Sequence, residues 1–133
     1  MNKKLILYEI RILLIIILIG GGIYLFFLKK TKTNETIGTF ELADYSYFID
    51  NFSSDQVLGS VESTRLVKEN AEVIWIKIYG ESIKENKPYK VSFDDKNQVW
   101  LVQGTLQKNR VCGVPYILIQ KKDGKVLAVW HDK

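Results

Sequence analysis

The chain carries one cysteine, Cys112, and one histidine, His131. On neighbouring strands of a sheet the two would approach as a thiolate–imidazole pair. No third, orienting group stands at a recognisable spacing, so His131 reads as a polar residue at an exposed strand end. Asp94 and Asp95 form an adjacent acidic pair. Two carboxylates without further ligands read as a solvated turn rather than a metal site. There is no paired-cysteine or zinc spacing and no glycine-rich phosphate loop. A lone cysteine also excludes a disulfide-stapled scaffold. The residue pattern therefore predicts no catalytic centre, no metal and no cofactor.

The elements that would position these residues lie mostly in residues 88–131. Four short runs, PYKVSF, QVWLVQG, VPYILIQ and VLAVWH, are separated by polar turns. Tyr89, Val91 and Phe93 alternate with Lys90 and Ser92, as in a half-buried strand. The run from Val99 is apolar on both faces, with Trp100 and Val102 on one and Val99 and Leu101 on the other. Gly104 marks a bulge or bend, and Lys122-Asp123-Gly124-Lys125 reads as a hairpin turn. Short connections make the predicted four-stranded sheet antiparallel.

Two helices are expected ahead of the sheet. Ser63 or Thr64 caps one that Gly80 closes, and Val67, Ala71, Ile74 and Ile78 form its apolar stripe, widened by Trp75 and Tyr79. A shorter helix begins at Phe40 behind a Thr39 cap, with Leu42, Tyr45, Ile49 and Phe52 on one face. One helix cannot cover both apolar faces of the sheet. The second face needs the Phe40 helix, a fold that closes on itself, or a partner protein.

Residues 12–28 are an uninterrupted run of 17 uncharged residues flanked by basic ones. As a helix it spans about 25 Å, close to a thin hydrocarbon core. No small-residue cleavage site follows and no face is polar, so a single-pass anchor is expected over a cleaved signal peptide or a buried helix. The short N-terminal flank favours an N-in arrangement, with the domain on the extracytoplasmic side. The expected organisation is a membrane anchor at 1–30, a polar linker at 31–38 and a folded domain at 39–133. The charge follows this division. The chain has 19 basic and 15 acidic residues; residues 1–32 hold six bases and one acid, leaving 33–133 at about −1. Nucleic-acid binding thereby loses its electrostatic basis.

The stretches IKIYGESIKENKPYKVSF, VWLVQGTL and GVPYILIQKKDGKVLAVWHDK, in that order, resemble the bacterial NTF2-fold immunity proteins of polymorphic toxin systems. The likeness covers about 58–133. The family usually has a Gly-Gly pair before the third strand, where this chain has Cys112-Gly113. The resemblance implies an α+β fold: a small NTF2-like cone of helices on a curved antiparallel four-stranded sheet, here behind an N-terminal transmembrane helix. It also implies a non-enzymatic role, binding a cognate toxin and neutralising it by occlusion. Some NTF2-like cones house acid–base enzymes, but the inward positions here are mostly apolar or aromatic.

If a toxin is bound, a few aromatic and arginine anchors would carry the affinity. The candidates are Trp100, Arg110, Tyr116 and Trp130. A membrane-anchored PepSY-like inhibitory or sensor module, acting on a protease or cell-wall enzyme, is the alternative class. A small-molecule-binding cone is a third. Oligomeric state is not legible in the residues.

Overall fold

A computed structural model describes residues 3–30, 35–109 and 113–132, with side chains in the first stretch described for 3–4 and 9–23. The chain divides into two compact units, Met1–Glu35 and Thr36–Lys133.

Among its described residues the first unit contains one helix, α1 (Lys3–Lys30). Among the described residues no helix is long and apolar enough to cross a membrane. This overturns the expected transmembrane helix and the single-pass localisation.

The second unit is α+β. Its order is β1 (Gly38–Thr39), a 3₁₀ turn (Leu42–Tyr45), α2 (Ser46–Asp50), α3 (Thr64–Tyr79), a second 3₁₀ turn (Glu81–Asn86), then β2 (Lys90–Asp94), β3 (Val99–Gln103), β4 (Pro115–Gln120) and β5 (Val126–His131). The sheet has five strands in the order β1-β2-β3-β4-β5 and is mixed, because β1 runs parallel to β2. The expected four-stranded, wholly antiparallel sheet is corrected on both counts. β1 is too short to show any periodicity. Its backbone lies so close to β2 that a Cβ on Gly38 would meet Ser92 Oγ at 2.6 Å. Thr39 is consequently a strand residue and not a helix cap.

The remaining strands pair antiparallel, with a register irregularity between Leu118 and Ile119. α3 forms because an apolar stripe meets good boundaries. The Ser63 side chain accepts the Leu66 backbone N–H, and Gly80 ends the helix at φ +89°. Val67, Ala71, Ile74 and Trp75 are buried. Ile78, expected on the stripe, is 52% exposed. Gly104 allows a close approach rather than a bulge: an added Cβ would stand 2.7 Å from Pro115 Cδ and 2.9 Å from Asn86 Cβ.

Both faces of the sheet are covered. α3 packs on the face carrying Val91, Trp100, Val102, Ile117 and Ile119. Leu42, Tyr45, Phe48, Ile49 and Phe52 pack on the other, over Val99, Leu101, Leu118 and Ala128. Of the three solutions open to the second face, the chain uses its own segment after β1. Phe52 touches both clusters. Beyond it the chain meets the start of β5, where Val57 bridges Lys125 and the Val126 N–H donates to Gln56 O.

Candidate functional site

The second face of the sheet carries a cluster of aromatic side chains. Tyr116 on β4 and Trp130 on β5 are register partners, so their side chains leave the sheet together. Their rings stack with centroids 5.1 Å apart and planes 5° from parallel. Phe48 of α2 also stacks on Trp130, at 4.2 Å and 12°. Tyr45 lies 5.7 Å from Trp130, and Phe40 meets Tyr45 edge-on at 5.6 Å. Burial pushes the Tyr116 hydroxyl up to about 12, with its hydrogen bond to Asp132 adding to the shift. Tyr47 stands outside this cluster, edge-on to Phe48 at 5.6 Å and 71% exposed.

The helical cover is held in place by Asp94. This residue is 5% exposed: the expected solvated turn is present from Asp95 onward, but Asp94 itself is a buried carboxylate. Its Oδ2 accepts the Leu42 backbone N–H at 2.7 Å and Asn97 Nδ2 at 2.9 Å, and its Oδ1 accepts the Asn97 N–H at 2.9 Å. Those bonds, led by the Asn97 side chain, hold the carboxyl below its ordinary value. Its lone pairs serve the fold. Among the described residues no three His, Cys, Asp or Glu side chains come together as a metal-binding group.

On the first face a cleft of about 130 Å³ lies between Tyr79, Ser82, Asn86 and His131. That is small beside the roughly 300–1,000 Å³ of ligand pockets. His131 packs its ring on Tyr79 with centroids 5.3 Å apart. Cys112, its proposed partner in a nucleophilic pair, lies outside the described residues.

Of the four anchors expected from sequence, the three among the described residues are divided between the two faces. Tyr116 and Trp130 are brought together, half-buried, on the second face. Trp100 is on the opposite face, 6% exposed, with Nε1 donating to Val61 O at 2.9 Å. It is a core residue, because the indole is enclosed and its only polar atom is satisfied within the chain. Arg110 lies outside the described residues.

The sequence reading passed over Tyr47 and the acids around it. Glu41, Asp44 and Asp50 are all exposed. Residues 35–62 contain six acids and no lysine or arginine, whereas residues 63–133 contain 13 basic and eight acidic residues. The near-neutral total for the domain concealed that division.

Residues 68–133, from the second turn of α3 through β5, match a protein-family model described as NTF2 fold immunity protein. No curated protein and no solved structure matches the chain.

Proposed function

Residues 68–133 place this chain in the NTF2 fold immunity protein family, and we propose that it binds a cognate bacterial toxin and neutralises it by covering the toxin's working surface, without catalysis of its own. The family match carries this reading. Other observations favour occlusion over chemistry. The cleft beside His131 is far smaller than a substrate pocket, and the buried carboxylate Asp94 is fully engaged in holding the fold. The aromatic cluster gives a rigid base for a protein contact, since stacked rings lose little side-chain freedom on binding. Arg110 belongs in the proposed contact on chemical grounds, as an arginine able to make several hydrogen bonds to a partner.

The test is co-purification of the full chain with the product of the neighbouring gene, followed by an assay of that product's toxicity. A stable complex that abolishes the toxicity is expected. Absence of both a complex and protection from the toxicity overturns the reading.

A further inference from the structure

Resting on the toxin-binding reading, we propose that the toxin docks on the exposed strip Asp44–Tyr47–Asp50 and presents a basic surface to it. The three residues are spaced i, i+3, i+6 along the continuous 3₁₀–α segment Leu42–Asp50. Side chains three apart on a helix are surface neighbours, so the spacing sets one carboxylate a turn before Tyr47 and one a turn after it. The opposite side of the segment, Leu42, Tyr45, Phe48 and Ile49, is turned onto the sheet. The strip therefore cannot roll inward without surrendering that packing.

Three features fit this strip to a cation on a partner. Tyr47 is a large aromatic left 71% exposed where its neighbours Tyr45 and Phe48 are packed down. An aromatic face attracts an ammonium or guanidinium group, and flanking carboxylates supply charge-assisted hydrogen bonds to the same group. Among the described residues, no lysine or arginine of the chain pairs with Glu41, Asp44 or Asp50. The surrounding sequence also sharpens the field, since residues 36–61 carry four acids, Glu41, Asp44, Asp50 and Asp55, and no lysine or arginine. A field of one sign steers an oppositely charged partner and raises its association rate, and it weakens with salt.

The aromatic base beneath explains why the strip is rigid enough to act as an anchor. Tyr47 rests on Phe48, and Phe48 stacks on Trp130. The Leu42 end is pinned by the Asp94 carboxylate. A partner side chain arriving at Tyr47 thus meets a surface that is already ordered, which limits the entropy lost on binding.

The experiment measures association and dissociation rates between the full chain and the product of the neighbouring gene, at low and physiological ionic strength. Three variants are compared with the unmodified chain: Asp44→Lys with Asp50→Lys, Tyr47→Ala, and, on the basic part, Lys122→Glu with Lys125→Glu. All the altered side chains are exposed, and melting curves check that each variant folds. The double aspartate variant is expected to associate at least tenfold more slowly at low salt and to lose most of its salt dependence. Tyr47→Ala is expected to dissociate about tenfold faster. The lysine variant is expected to bind as the unmodified chain does. If the unmodified chain forms the complex while the aspartate and Tyr47 variants match it, this docking surface is wrong and the toxin-binding reading stands. If the unmodified chain forms no complex, both fall.

Discussion

The Asp94 carboxylate accepts the backbone N–H of Leu42 at 2.7 Å, across 52 residues of sequence. It joins the end of β2 to the first turn of the cover on the second face. Hydrogen bonds from Asn97 and Leu42 hold its folded value below the ordinary 3.8. A lowered carboxyl value stabilises the fold above the ordinary value, and that stability is lost as pH falls through the folded one. Asp94→Asn should lower the melting temperature at pH 7 by on the order of 5 °C. The gap from the unmodified chain should narrow in strongly acid solution. Thermal unfolding across the acid range measures both.

Tyr89 donates to Glu72 Oε2 at 2.7 Å, and Lys87 Nζ pairs with the same oxygen at 2.7 Å. The Tyr89 ring is also edge-on to Trp75 at 5.2 Å. Burial raises the Glu72 carboxyl, but the bonds from Lys87 and Tyr89 outweigh it and leave it lowered. Tyr89→Phe keeps the ring and removes one hydrogen bond to a charged group. A loss of about 1–2 kcal/mol is expected, towards the lower end because solvent reaches Glu72. Urea unfolding at neutral pH reads it.

Trp100→Phe removes the indole N–H that bonds Val61 O, together with part of the buried ring. The expected cost is about 2 kcal/mol of stability. Toxin affinity of the folded variant should change less than twofold, because Trp100 has almost no surface to offer. Calorimetric titration alongside thermal unfolding separates the two effects.

The Tyr116 hydroxyl is raised from 10.0 to about 12, and burial also raises Tyr89. Raised values mean stability that is complete below the ordinary value and is lost as pH climbs through the folded one. The domain should therefore weaken from about pH 10 upward. Tyr116→Phe should shift the onset of alkaline unfolding to higher pH. Phenolate absorbance and circular dichroism, followed together, give the result.

Arg110→Ala is expected to weaken toxin binding by about tenfold while leaving the melting temperature nearly unchanged. An unaltered dissociation constant would remove Arg110 from the contact.

Much of the α+β core was legible because its signals are local. α3 is bounded by Ser63 and Gly80 and striped by Val67, Ala71 and Ile74. The antiparallel strands alternate between polar turns. β1 was not legible, since two residues carry no period and the pairing depends on Ser92 and Phe93 far along the chain. Ile78 obeyed the stripe's spacing, but periodicity gives direction and not the extent of the platform beneath. Trp100 and Trp130 looked alike in sequence, and only the pleat of the sheet separates the buried one from the stacked one. The strip at Asp44, Tyr47 and Asp50 resembled an ordinary solvated helix face. Its meaning depends on Phe48 and Trp130 lying directly behind it.

Sheet rims are where copies of a protein can add to one another strand by strand. Here one rim ends in the two residues of β1. The other is partly occupied where the segment around Val57 pairs with Lys125 and Val126. Blunted rims leave little free backbone for the strand of another molecule to pair with.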